Sequence, residues 1–243
     1  MTILYDNTTE DPRLAVEWGF SALVDYKGHM VLFDTGLDGP SLLGNMEALG
    51  VDPEVIESVV LSHEHGDHTG GLRDLLATGI HPEIYIPAAM ARMVTQEQRE
   101  EYTFIAVSEP VEILPGMFST GEISGSVPEQ GLVVETPDGI VVITGCAHPG
   151  IVKMVQEASE IVDGEIALVI DGFHLGGASP GHIDTIIANF HSMGVKKVTP
   201  THCTGDQQIA QNCRSLRGGL HSRGRGNCDH HRGSCPMNRN LQL

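Results

Sequence analysis

Between Ser58 and Leu72 the chain reads SVVLSHEHGDHTGGL, an apolar and partly β-branched run that breaks into three histidines, two acids and then glycines. A strand that ends this way offers its polar side chains from a rigid support. Imidazoles and a carboxylate at His63, His65, Asp67 and His68 are the nitrogen and oxygen donors that zinc, iron or manganese accepts. In an extended segment His63 and His65 project to the same side and can grip one ion. The turn allowed by Gly66 brings Asp67 and His68 round toward a second. Glu64 points away from the histidine pair and is read as a supporting or solvated acid. The plainer alternative, a loop of exposed histidines, explains neither the strand before the cluster nor the TGGL after it.

Other apolar runs predict strands: SALVDY from Ser21, MVLFD from Met30, ESVVLS from Glu57, EIYIP from Glu83, LVVET from Leu132, IVVIT from Ile140 and EIALVI from Glu165. Helical spacing falls at Gly39 to Leu49, Gly70 to Ala77, Ala88 to about Arg99, Gly150 to Ile161 and Gly181 to His191. Strands first follow one another and later alternate with helices, which predicts an α/β protein with a mixed sheet covered by helices. Several strands run out into polar clusters, among them FDTG at Phe33, TGCAH at Thr144, DGFH at Asp171 and PTHCTG at Pro200. His148 and His202 each follow such a strand. Alone, either would read as a structural histidine; beside the first cluster both read as metal ligands. Asp34 is read as the carboxylate that holds a ligand imidazole through its second N–H, with a turn-capping role as the alternative.

The formal charge of −18 is unevenly spread. From Asn212 on, six arginines face one acid, Asp229, so the last 32 residues carry +5 and the preceding 211 carry −23. A body that acidic repels phosphate backbones, so the partner expected is a small molecule rather than nucleic acid. No long apolar run predicts a membrane span and the N-terminus lacks the pattern of a signal peptide, so the expected location is cytoplasmic. Five cysteines, three of them in the basic tail, give no disulfide framework. Cys146 and Cys203 read as buried small residues or as neighbours of the site.

HEHGDH after a strand, FDTG upstream, and GCAH and PTHCTG downstream resemble the metallo-β-lactamase fold superfamily over about residues 1 to 210. GCAHPGI, GFHL and PTHCTG are similar to the dihydropterin-methyl-ribofuranosylaminobenzene phosphate synthase-like branch of it. The resemblance implies a four-layer αββα sandwich with a two-metal site at one edge. His63, His65 and His148 would hold one divalent ion, and Asp67, His68 and His202 the second; zinc is expected, with iron or manganese as alternatives. Asp67 would also serve catalysis as a proton acceptor. His174 is the branch's pocket residue, expected to contact substrate or metal. Asp171, where the branch usually has glycine, is a further candidate for a bridging ligand. The implied activity is hydrolysis, or transfer in which a diphosphate leaves a pterin-like substrate. The alternative is a non-catalytic or redox di-iron module. Lys153 and Arg73 are the cations nearest the motifs, and Met90 and Met93 read as core or surface helix rather than as a lid.

The domain expected is 1–211, followed by an aberrant basic tail, 212–243. That tail holds no Val, Ile, Phe, Tyr or Trp and offers no normal core strand. Its Cys213, Cys228, His230, His231 and Cys235 do not follow regular zinc-finger spacing. Codons for the stretch from Asn212 to Cys228 can be chosen so that a one-base shift spells IAEVYGEDYIPAGAGIV, which resembles the helix, turn and strand that close this branch. The tail is therefore read as a frameshifted and poorly packed C-terminus.

Overall fold

The computed structural model describes residues 1–9 and 11–205. The predicted tail, 212–243, lies outside the described residues, as do its three cysteines. Within them two six-stranded sheets stack face to face.

The first sheet contains β1 (Thr2–Tyr5), β2 (Ser21–Tyr26), β3 (His29–Phe33), β4 (Ser58–Val60), β5 (Glu83–Pro87) and β6 (Thr103–Val107) in that order. β1 to β3 pair antiparallel and β3 to β6 pair parallel. The second sheet contains β7 (Val111–Leu114), β8 (Met117–Ser119), β9 (Leu132–Thr136), β10 (Gly139–Ile143), β11 (Ile166–Gly172) and β12 (Val198–Thr201), again in sequence order across the sheet. β7 to β10 pair antiparallel and β10 to β12 pair parallel. Each sheet thus passes from an antiparallel meander to parallel strands.

Helices cover the outer faces: α1 (Gly39–Leu49), α2 (Gly66–Thr69), α3 (Leu72–Leu76) and α4 (Gln96–Glu101) follow strands of the first sheet, and α5 (Ile151–Ile161) and α6 (Pro180–Ser192) follow strands of the second. The alternation of side chains along β3 explains the layering. Val31 and Phe33 face the second sheet and meet Leu132, Val134, Val141 and Ile143, whereas Leu32 faces the helices and meets Leu42, Met46 and Leu75. Val142 and Val169 face the other way, onto Met154, Val155 and Phe190 of α5 and α6. Central strands are apolar on both faces because both faces are covered. The result is the four-layer αββα sandwich.

Two predicted helices change. Gly70 to Ala77 shortens to α3, Leu72–Leu76, and the separate short α2, Gly66–Thr69, ends just before Gly70–Gly71. Ala88 to Arg99 becomes a 3₁₀ stretch, Ala88–Met93, and then α4, because Thr95 caps a new helix with its hydroxyl on Gln98 N while Gln98 returns the bond to Thr95 N. Met90 is buried in the helix-side core and Met93 is exposed. Both line a cavity of about 480 Å³ on the outer side of the first sheet, not over the histidines.

Candidate metal centre

The loops after β3, β4, β10, β11 and β12 meet at one edge of the sandwich, where parallel strands end and their loops can converge. The backbone there is unusual. Among the described residues, six non-glycine residues have positive φ: Lys27 in a hairpin, Asp171 near the end of β11, and Asp34, Ala147, His174 and His202 in these loops. Such conformations cost energy and persist where the surroundings fix them.

Two sets of donors result. His63 Nε2 lies 3.1 Å from His65 Nδ1, which lies 3.2 Å from His148 Nε2. His68 Nε2 lies 3.1 Å from His202 Nε2, and Asp67 Oδ2 is 3.2 Å from His202 Nε2 and 3.8 Å from His68 Nε2. Ligand nitrogens about 2.0–2.1 Å from a tetrahedral zinc stand about 3.3–3.4 Å apart. The separations here are close to that edge length, and the donor chemistry is right for a divalent transition metal. His63, His68 and His202 are buried, and His65 and His148 are partly exposed. Glu64 turns outward and pairs with Arg92 at 2.8 Å.

The rings are aimed by a buried polar network. Asp34 Oδ2 accepts from His68 Nδ1 at 2.6 Å and from Ser62 Oγ at 2.7 Å, while Oδ1 accepts from Ser62 N. Ser62 Oγ is 2.8 Å from His63 Nδ1. A carboxylate only accepts, so Nδ1 of His68 carries its proton and Ser62 Oγ gives its own to Asp34, leaving it to accept from His63 Nδ1. Both rings then turn an unprotonated Nε2 into the centre. His202 is fixed similarly, with Nδ1 3.0 Å from Asn7 Oδ1. Glu129 accepts from Gly145 N, Ala147 N and His148 N, holding the turn that presents His148. Trp18, at 54% exposure, packs at a tilt against His202, the ring planes 52° apart, and donates Nε1–H to Asp67 Oδ2 at 2.9 Å. Ser62, Asn7, Trp18 and Glu129 carried no signal in the sequence. Their partners lie mostly in distant segments, Asn7 and His202 being 195 residues apart.

Electrostatics follow from this packing. Burial and the surrounding imidazoles push His63 far below the usual histidine range. Burial, with His174 and His65 adding, lowers His148 to about 4. Burial would also lower His68, but the charge of Asp34 and its hydrogen bond raise it above the ordinary value. For Asp67, burial acts upward, yet the hydrogen bond from His202 and the charge of His68 hold the carboxyl well below its usual range. Glu129 is raised to about 7 by burial, against the opposing N–H groups of His148 and Ala147.

Residues 19–184 match the family model of the metallo-beta-lactamase superfamily. The chain belongs to that superfamily. One relative of this metallo-β-lactamase superfamily member is the 7,8-dihydropterin-6-methyl-4-(beta-D-ribofuranosyl)-aminobenzene-5'-phosphate synthase of Methanocaldococcus jannaschii, 30% identical over 237 residues, which span 77% of this chain and 81% of the relative. The crystal structure of Tm1679, a metal-dependent hydrolase of the beta-lactamase superfamily, matches with a TM-score of 0.73 at 30% identity, covering 88% of this chain and 92% of the other. Human tRNase Z, short form, matches with a TM-score of 0.55 at 17% identity over 83% of this chain and 91% of its own, a likeness of fold alone.

The other expected residues separate. His174 is exposed and its ring centroid is 4.5 Å from that of His148, so it stands at the mouth of the centre. Asp171, expected as a possible bridging ligand, joins no donor group among the described residues. Its side chain is engaged by Thr201 Oγ1 at 2.8 Å on Oδ1, and Oδ2 is buried without a partner. Lys153 is occupied with Ser124 O, and Arg73 lines the cavity behind α3. No helix among the described residues is long and apolar enough to cross a membrane.

Proposed function

We propose that the chain is a metal-dependent hydrolase of a small, phosphorylated substrate, working with two divalent cations, zinc first among them. The observation that carries this reading is the convergence of six donors from both sheets, with ring nitrogens 3.1 and 3.2 Å apart and the far nitrogens of His63, His68 and His202 tied to Ser62, Asp34 and Asn7. His63, His65 and His148 would hold one cation, and Asp67, His68 and His202 the other. Such cations, when bound, polarise a phosphoryl oxygen and make water a nucleophile at neutral pH.

The chain's own part is to aim and to move a proton. Asp67 would anchor the second cation through Oδ2, and its carboxylate is the base proposed for the proton of attacking water. Trp18 holds that carboxylate in place and covers one side of His202. His174 at the mouth is the side chain proposed to touch substrate.

A second reading has one specific support, the synthase named among the relatives. In it the same ligands would stabilise a departing diphosphate as a pterin-like methylene group passes to an aminobenzene nitrogen. Metal analysis of the purified protein is expected to give two transition-metal ions per chain, and the double variant His63→Ala/His65→Ala is expected to lose turnover. Full turnover in a metal-free preparation would overturn the proposal. Incubating the metal-loaded protein with a pterin diphosphate, with and without the aminobenzene acceptor, separates the two readings. Pyrophosphate release that ignores the acceptor rules out the synthase.

A further inference from the structure

Three groups of potential ligands occur among the described residues: Asp67, His68 and His202 with Cys146; His63 and His148 with Cys146; and His174 and Cys203 with Cys146. Within each group the donor atoms lie within 4.8 Å of one another, and Cys146 is the one residue common to all three. Its Sγ is 3.3 Å from His68 Nε2. Nitrogen at about 2.0–2.1 Å and sulfur at about 2.3 Å from one tetrahedral ion stand about 3.6 Å apart, close to this spacing.

The backbone puts the thiol there. Cys146 and His148 are two residues apart on either side of Ala147, whose φ is 58°, and Glu129 pins the N–H groups of Gly145, Ala147 and His148. Cys146 is 3% exposed, yet it faces imidazoles and a carboxylate instead of the apolar core. A merely space-filling cysteine has no need of that environment. Asp171, the other candidate for a shared ligand, accepts from Thr201 on Oδ1 and belongs to none of the three donor groups.

We propose that the Cys146 sulfur is a donor shared between the two histidine sets, and that it tunes the centre toward thiophilic cations such as zinc, cobalt or ferrous iron over magnesium, calcium or manganese. The inference rests on the two-cation reading above. Binding exchanges the S–H bond for a sulfur–metal bond, and the displaced proton goes to solvent. Cys203 sits beside Cys146, its Sγ 3.8 Å from Cys146 O, but belongs to neither histidine set.

The test uses the full chain with Cys213, Cys228 and Cys235 each replaced by serine, so that tail sulfurs cannot contribute. Loaded with cobalt(II), this protein and its Cys203→Ser variant should show a sulfur-to-cobalt charge-transfer band in the near ultraviolet. Cys146→Ser should lose that band, keep the visible bands of histidine-bound cobalt, and bind zinc about tenfold or more weakly. X-ray absorption of the zinc-loaded parent should find a sulfur scatterer at about 2.3 Å, a measurement independent of how the variant folds. Visible cobalt bands without a sulfur band in the parent, or a band that survives in Cys146→Ser, would overturn the sulfur assignment alone. No cobalt bands in the parent would overturn the two-cation reading itself.

Discussion

At the scale of single residues, the site depends on which ring nitrogen carries the proton. Asp34 decides this for His68, because a carboxylate can only accept. Asn in its place would present an NH₂ group to either His68 Nδ1 or Ser62, and a donor facing Nδ1 moves the imidazole proton to Nε2, where it blocks coordination. Asp34→Asn is therefore expected to weaken zinc binding by about 10- to 100-fold, with a cost to folding of about 1–3 kcal/mol. Competition against a chromogenic chelator reads the first and a urea midpoint the second; unchanged zinc affinity would contradict the role assigned to Asp34. Asp171 gives a different signature. Burial pushes its carboxyl well above the ordinary range, with Cys203 adding and the Thr201 hydroxyl opposing. A carboxyl whose folded-state value is raised contributes stability that is full below its unfolded value and is lost as pH rises through the folded one. Asn keeps an acceptor for Thr201 and cannot ionise. Asp171→Asn should gain stability on the parent as pH rises from about 5 to about 8, read from urea midpoints at each pH, whereas parallel profiles would show that Asp171 carries no such penalty.

Secondary-structure elements were legible where their signal was local. α1 spans Gly39–Leu49 as its spacing predicts, since Asp38 caps its first turn and Gly50 ends it in a left-handed conformation. β2, β5, β9 and β10 appear where their apolar runs fall, but β4 shortens to Ser58–Val60 because the chain must turn to present His63. β1, β6, β7 and β8 were not foreseen: they run three to five residues, and it is pairing with neighbours that makes them strands. His63, His65, Asp67, His68, His148 and His202 stood out because each follows a strand within a recognisable motif. Cys146 stayed ambiguous because its meaning depends on three groups that meet only in the folded chain. The glycine at the junction of α2 and α3 has a steric reason. A Cβ on Gly70 would lie 1.9 Å from Leu37 O, and backbone bonds from Gly70 N to Gly36 O and from Thr35 N to His68 O lock this segment onto the loop after β3. Gly70→Ala must push main chain against main chain, so a loss of about 2–4 kcal/mol is expected in denaturant unfolding. A midpoint equal to the parent's would mean that α2 is free to shift.

Across the whole molecule, the charge of −18 combines a body of −23 with a C-terminal segment of +5. We propose that this segment is a frameshifted product; if no one-base shift in the nucleotide sequence restores IAEVYGEDYIPAGAGIV, the proposal fails. The body poses a separate question of what holds its two sheets together at the site edge. Elsewhere the seam is closed by Phe33, Val60, Val134, Val141 and their neighbours, but at this edge imidazoles take the place of apolar side chains. His63, His65, Asp67 and His68 come from the first sheet, and His148 and His202 from the second, so a cation in either set would span the seam. Binding to the folded state alone adds about 2.7 kcal/mol per site at a free-ion concentration of 100 Kd. Chelation of the purified protein should lower its thermal midpoint, and zinc should restore it. In the variant His63→Ala/His65→Ala the chelator-dependent part should shrink to what the Asp67, His68 and His202 set contributes. A midpoint that ignores chelator and zinc alike, in a protein shown to contain metal beforehand, would mean that the cations do not bridge the sheets and that the hydrophobic seam alone holds them.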